Sequence, residues 1–249
     1  MPSHTRFVAP EPFERTSLTG PPDWVSMAAM TRVLAVADEV DPSLYSRNVL
    51  RHEVDLILAC GDLPFDYLEF LVSMLNVPLG FVPGNHDPDL HPPDAIDSAD
   101  FTKPFAWHWD DRANKGPQGC VNLDGWVKEL SGVRVAGLGG SIRYSPGPNQ
   151  YSETQMCSRA WRLRIRDLRR RVKDRPRVDI LITHAPPRGV GDGADRAHRG
   201  FQSFHALIAR MGPRFLLHGH VHPYGEHMPE REVGQTRVMN VVGHKVIEL

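Results

Sequence analysis

Continuous apolar runs that end on polar residues recur along the chain. Val33-Leu34-Ala35-Val36-Ala37 stops at Asp38, and Leu56-Ile57-Leu58-Ala59-Cys60 stops at Gly61-Asp62. Val77-Pro78-Leu79-Gly80-Phe81-Val82 runs into Gly84-Asn85-His86-Asp87. Unbroken runs of this length predict strands covered on both faces. Between them, residues 43–52, with Ser43 as a cap, and residues 66–75 predict helices. Strand, helix, strand, helix, strand implies parallel strands joined by right-handed crossovers.

Further along, Gly125 to Leu130 and Val133 to Leu138 predict a strand pair around the turn Ser131-Gly132. Residues 151–173 predict a helix with Cys157, Trp161, Ile165, Leu168 and Val172 on its apolar face. Its other face is basic, with Arg159, Arg162, Arg164, Arg166, Arg169, Arg170, Arg171 and Lys173. A solvated face is the favoured reading of that stripe over a contact with a phosphate backbone. Val178 to Thr183 predicts a strand that ends at His184-Ala185-Pro186-Pro187. A helix over 201–211 precedes a strand, Arg214 to Leu217, that ends at His218-Gly219-His220-Val221-His222. Thr236 to Val242 and Lys245 to Leu249 predict a closing hairpin around Gly243-His244.

Two stretches break the rhythm. Residues 1–29 carry five prolines without a sustained period and read as a flexible extension before a domain over 30–249, with Met30 as a second candidate start. Residues 88–118, rich in Pro and Asp and carrying Phe101, Phe105, Trp107, His108 and Trp109, form either a lid or pocket wall or an ordered loop packed on itself.

Composition narrows the classes. With 29 Lys+Arg against 30 Asp+Glu, the formal net charge is −1, which gives no bulk attraction to nucleic acid or to an anionic membrane. The three cysteines, Cys60, Cys120 and Cys157, form no C-x-x-C and read as free thiols of a reducing compartment. Neither a membrane-length apolar run nor a signal-type h-region is present, so the cytoplasm is the expected location.

The chemistry gathers at strand ends, where open α/β sheets place it. Asp38, Asp62, Asn85, His184, His220 and His222 form a mixed oxygen and nitrogen donor set. Such a set suits Mn, Fe, Zn or Ni better than Ca²⁺. There are enough donors for two ions sharing a carboxylate, which bind a bridging hydroxide and clamp an in-line displacement at phosphorus. His86 can move a proton, and Asp87 can orient it. His218, a lone core histidine, reads as merely hydrogen-bonded.

Gly61-Asp62, Gly84-Asn85-His86-Asp87, His184-Ala185-Pro186-Pro187 and Gly219-His220-Val221-His222 resemble, in order and spacing, the motifs of the calcineurin-like metallophosphoesterases, over about Met30 to Leu249. The resemblance implies a four-layer α/β/β/α sandwich with a dinuclear site. Asp38, Asp62 and His222 would hold the first ion; Asp62, Asn85, His184 and His220 would hold the second. His86 would be the general acid, steered by Asp87. The sequence departs from the family's D-x-H at Asp38-Glu39-Val40, where valine replaces a ligand. Strand alternation sends Asp38 and Val40 to one side and Glu39 to the other, unless a bend brings Glu39 or Asp41 round. The first ion is therefore expected to be weakly held. A milder departure puts Phe65 where the family has an acid, with Asp66 one step late.

The expected activity is metal-dependent hydrolysis of a small phosphodiester or nucleotide-type substrate. Arg188, Arg143 and Tyr144 are the candidate substrate contacts, and Arg199 is a weaker one. Membrane is not an expected partner, and nucleic acid is a disfavoured one. The rival is a catalytically impaired relative that uses the sandwich as a binding scaffold, which Val40 favours and an intact His86 opposes.

Overall fold

The computed structural model describes residues 30–90, 116–170, 177–223, 225 and 228–249, and Thr31–Leu249 form one compact unit. The predicted extension over 1–29, most of the 88–118 excursion with its aromatics, and Arg171, Val172 and Lys173 of the predicted 151–173 helix lie outside the described residues.

In chain order the elements are β1 (Arg32–Ala37), a 3-10 helix (Arg47–Arg51), β2 (Leu56–Ala59), α1 (Phe65–Leu75), β3 (Leu79–Phe81), β4 (Cys120–Asn122), β5 (Val127–Leu130) and β6 (Val133–Leu138). They continue with β7 (Ser141–Ile142), β8 (Gln150–Tyr151), α2 (Glu153–Arg170), β9 (Ile180–Thr183), α3 (Ser203–Met211) and β10 (Phe215–His218). The chain closes with β11 (Arg231–Val233), β12 (Thr236–Asn240) and β13 (Gly243–Glu248).

Two sheets carry the fold. The first has the order β13-β1-β2-β3-β4 and the second β11-β12-β10-β9-β6-β5. The central strands of each are parallel; β13, β5 and β11 run antiparallel at or next to the edges. The period of two in each strand explains how the apolar runs are buried. Val33, Ala35, Leu56 and Leu58 of the first sheet meet Val135, Ile180, Ile182 and Leu217 of the second in a central core. Their alternates, Leu34, Val36 and Ile57, face Tyr67, Leu68 and Leu71 of α1. On the far side Leu181 and Leu216 face Met156, Ala160 and Leu163 of α2 and Phe204 and Leu207 of α3. The result is the expected four-layer α/β/β/α sandwich.

Several local expectations are corrected. The predicted closing hairpin does not form: β12 pairs with β10 in the second sheet, while β13 pairs antiparallel with β1 in the first. Gly243, with φ of 74°, lets the chain change sheets. The helix expected over 43–52 shrinks to a 3-10 turn capped by Ser46. Ser43 instead donates its backbone N–H to Asp41 Oδ1 at 2.7 Å, an Asx turn that holds the preceding residues out of a helix. The buried stripe of α2 lies one residue away from the expected one. Met156, Ala160, Leu163 and Asp167 point inward, whereas Cys157, Trp161 and Leu168 are exposed. Asp167 hides this stripe in the sequence, because it is buried against Arg134 of β6 at 2.6 Å.

Candidate functional site

Every sequence-predicted donor lies just past the carboxyl end of a parallel strand. β1, β2 and β3 deliver Asp38, Asp62 and Asn85, so the oxygen donors come from the first sheet. β9 and β10 deliver His184, His220 and His222, so the imidazoles come from the second. The site straddles the seam between the sheets.

The backbone leaves regular structure abruptly at these ends. Asp38, Asp62 and His220 have φ of 58°, 56° and 68°. Left-handed backbone at a non-glycine residue costs on the order of 1–3 kcal/mol and concentrates at functional sites. Two motif glycines make room for the carboxylates. A Cβ on Gly84 would lie 2.0 Å from Asp62 Oδ1, and one on Gly219 would lie 2.0 Å from Asp38 Oδ2.

Around Asp62 the donors converge. His184 Nε2 lies 3.2 Å from Asp62 Oδ2 and 2.9 Å from Asn85 Oδ1. Asp62, His184 and His220 each bring a donor atom within 4.8 Å of one another. The outer nitrogens are fixed by carbonyls: His184 Nδ1 lies 2.8 Å from the Cys60 oxygen, and His220 Nε2 lies 2.8 Å from that of Ala197. With those N–H groups donated, His220 Nδ1 is a lone-pair nitrogen and His184 Nε2 becomes one on giving up its proton, the arrangement in which histidines bind metals. Asn85 Nδ2 donates to the Tyr144 hydroxyl at 3.1 Å, which turns Oδ1 toward His184. Oxygen acceptors and lone-pair nitrogens facing one point fit a transition-metal ion.

The second half of the donor set is looser. Both oxygens of Asp38 accept from the His220 backbone N–H, at 3.0 and 2.9 Å. His222 Nε2 stands 3.9 Å from Asp38 Oδ1, and its Nδ1 lies 2.8 Å from Glu39 Oε1. Strand alternation does not carry past Asp38, because the left-handed bend there ends the strand. Val40 packs on the core beneath α1, and Glu39 swings to His222. Asp41 pairs with His244 Nδ1 at 2.7 Å.

The electrostatics follow from this packing. Burial raises Asp38 above the ordinary carboxylate range despite the nearby His184. Burial also acts to raise Asp62, but the charge and hydrogen bond of His184 outweigh it and bring Asp62 below that range. Burial disfavours the His184 imidazolium, yet Asp62 and Asp38 reverse the sign and lift it to about 9. In the protein alone, a proton on His184 balances the carboxylates. Burial, reinforced by that charge, drops His220 to about 3 and keeps it neutral.

The remaining candidates divide. His86 is exposed, with its backbone N–H on Asp62 Oδ1 at 2.8 Å. Asp87 is buried, and its Oδ2 accepts from the backbone N–H groups of Gly84 at 2.7 Å and Asp62 at 3.0 Å, not from His86. It ties two motif loops together. Arg143 is directed to the Gln150 carbonyl and Gln155 Oε1, both at 3.1 Å. Arg188 is exposed, with its backbone fixed by Phe201 and His205. His218 is buried, bonds the Gly219 oxygen through Nδ1 at 2.9 Å and is held to about 4 by burial.

Sequence reasoning missed the loop over 188–200. Asp192 binds the N–H groups of Gly189 and Gly200, and Asp195 those of Ala197 and His198. The clamped loop sets the Ala197 carbonyl on His220 and brings the His198 ring to 5.4 Å from that of His220. Two aspartates spaced by glycines in a histidine-bearing loop were the available signal.

Among the described residues no helix is long and apolar enough to cross a membrane, and the three cysteines are free. Residues 29–224 match the family model described as calcineurin-like phosphoesterase. An uncharacterized protein of Haemophilus influenzae (strain Rd) is 28% identical over 189 residues, covering 67% of this chain and 72% of that protein. One crystal structure superposes with a TM-score of 0.59 at 17% identity, covering 88% of this chain and 95% of its own. The crystal structure of TT1561 of Thermus thermophilus superposes at 0.53 with 18% identity, covering 86% and 90% respectively.

Proposed function

Because the chain belongs to the calcineurin-like phosphoesterase family, we propose that it is a metal-dependent hydrolase of a small phosphodiester or nucleotide-type substrate. The observation that carries this reading is the convergence of Asp62, Asn85, His184 and His220 on one point, with both histidines held by carbonyls at their outer nitrogens. These four would hold one ion, and Asp38, Asp62 and His222 a second, drawn from Mn, Fe, Zn or Ni. Ions bound there supply Lewis acidity, activating a water and drawing charge from phosphoryl oxygens. His86, exposed beside Asp62, protonates the leaving alcohol. Asp87 is a positioning residue that holds the loop presenting His86. Tyr144 accepts from Asn85 and keeps an O–H to donate to a phosphoryl oxygen, and the exposed Arg188 supplies a charged contact. The free cysteines fit a cytoplasmic location.

The scaffold alternative is disfavoured by cost. The buried carboxylate of Asp38, its pKa raised by burial, and three left-handed residues oppose stability, and a scaffold gains nothing from them.

The test combines metal analysis with turnover of an alkyl diester and of bis(p-nitrophenyl) phosphate. His184→Ala should lose bound metal. His86→Ala should keep it, lose about 10²–10⁴-fold in rate on the alkyl ester and lose less on the nitrophenyl ester. Unchanged metal content in His184→Ala would sink the site assignment. Failure of the metal-loaded protein to hydrolyse any phosphoester would favour the scaffold.

A further inference from the structure

The basic face of α2 borders a cleft. Arg159, Arg162 and Arg166, spaced to lie on one side of the helix, line a cleft of about 230 Å³ with Asp124, Gly125 and Trp126 of the β4–β5 segment. Arg159 is fixed by two bonds to Asp124, at 2.5 and 2.7 Å, and lies over the Tyr151 ring at 4.0 Å. Arg166 donates to the Gly125 carbonyl at 2.5 Å and stacks on the Trp126 ring at 4.2 Å. Trp126 remains 41% exposed, with Lys128 Nζ 6.0 Å from its ring.

Among the described residues, only Arg159 of this group is paired with an acid. The two acids of α2 are committed inward: Glu153 accepts from the N–H groups of Gln202 and Ser203, and Asp167 pairs with Arg134. Among the described residues neither Arg162 nor Arg166 has an ion-pair partner. A second, more open hollow of about 560 Å³ shares Arg159 and Arg162 and extends the basic wall toward Tyr151 and Gln155. The whole chain is nearly neutral, so this concentration is local.

We propose that this cleft binds single-stranded nucleic acid, with phosphates on Arg162 and Arg166 and a base stacked on the step formed by Trp126 and the Arg166 guanidinium. Charge alone would suit an acidic peptide equally. The exposed indole beside a planar cation is what singles out a strand whose bases have open faces. DNA and RNA share this chemistry. The inference is independent of the metal-site reading, since it concerns binding and involves none of the residues placed in that site.

The test is fluorescence anisotropy of the full chain with a labelled oligothymidylate and oligouridylate of about 15 nucleotides, each confirmed intact after the measurement. Both should bind with strong salt dependence; a preference for oligouridylate would name RNA as the favoured strand and still support the proposal. Replacing both Arg162→Gln and Arg166→Gln should reduce the slope of log affinity against log salt by about 1.4, from ~0.7 per phosphate contact. Trp126→Ala should weaken binding about tenfold with the slope unchanged. All three changes should leave hydrolysis of bis(p-nitrophenyl) phosphate intact. Arg164→Gln of α2 with Arg210→Gln of α3, which line a separate hollow between those helices, is the control. No binding, equal loss in the control, or equal displacement of the strand by polyglutamate of matched charge would overturn the proposal.

Discussion

Glu39 Oε1 lies 2.8 Å from His222 Nδ1, and His222 Nε2 points back toward Asp38 at 3.9 Å. The carboxylate fixes which imidazole nitrogen carries the proton and leaves the other as a donor. Glu39 therefore supports a ligand instead of replacing the missing one. Glu39→Ala should weaken the first ion by about 10–100-fold and leave the second unchanged. Calorimetric titration of chelator-stripped protein resolves the two sites, and identical isotherms for the variant and the unmodified chain would refute this role.

The position of Val40 reverses the expected effect of restoring the family's histidine. Val40 packs against the apolar cluster that includes Leu68 and Leu71 of α1. An imidazole there would enter partly buried, apolar surroundings. Val40→His should lower stability by about 1–3 kcal/mol, the cost of burying a polar group without a partner, and leave first-site affinity unchanged. Urea denaturation and metal titration check the two halves. A tighter first site would show that the backbone after Asp38 can follow the family path.

The difference between what the sequence discloses and what it conceals has a physical basis. The runs ending at Asp38, Asp62, Asn85, His184 and His220 are legible because a strand buried on both faces must be apolar throughout, so its polar terminus stands out. The destination of Glu39 is not legible, because it depends on one left-handed φ at Asp38. The short strands β4, β7, β8 and β11 escape notice because they are edge strands or isolated pairs of two or three residues, too short to show a period. The stripe of α2 is misread because Asp167 is buried by a partner on β6, and no helical period shows a partner 33 residues away. Asp87 reads as a histidine's partner by adjacency, whereas its carboxylate reaches Asp62 N–H, 25 residues back in the chain.

His184 gives the site a pH dependence with a defined sign. Its pKa is lifted from the ordinary 6.5 to about 9 by Asp62 and Asp38, against the effect of burial. In stripped protein, the stability from this pairing is fully present below pH 6.5 and is lost as pH rises through 9. Metal binding runs the other way, because the ion must displace that proton. Apparent affinity should rise about tenfold per pH unit below about 9. Competition with a chelator of known pH behaviour, at pH values between about 6.5 and 9, measures the slope. A flat profile would mean that His184 is already neutral.

Gly84 follows β3 of the first sheet and Gly219 follows β10 of the second, each with the space for a Cβ filled by a carboxylate oxygen 2.0 Å away. The consequences of filling that space differ. At Gly84 the Cβ would also meet the Asp62 backbone N–H nitrogen at 2.6 Å, so side chain and backbone are both blocked. Asp62 is held by its own N–H to Asp87 and by the His86 N–H on its Oδ1. Displacing it disturbs the donors around His184, the better-formed half of the site. At Gly219 the nearest atoms are Asp38 Oδ2 and, at 2.7 Å, the Ala37 Cβ. Moving Asp38 breaks its two contacts with the His220 N–H and changes its approach to His222. Each substitution should also cost stability, by about 1–3 kcal/mol for overpacking. Because Asp62 would be shared by the two ions, Gly84→Ala should release both and abolish activity, whereas Gly219→Ala should weaken only the ion held by Asp38 and His222. Metal stoichiometry after dialysis separates the cases: about one ion retained by Gly219→Ala and none by Gly84→Ala. The reverse order, or full occupancy in both, would show that the carboxylates move aside without losing their ions.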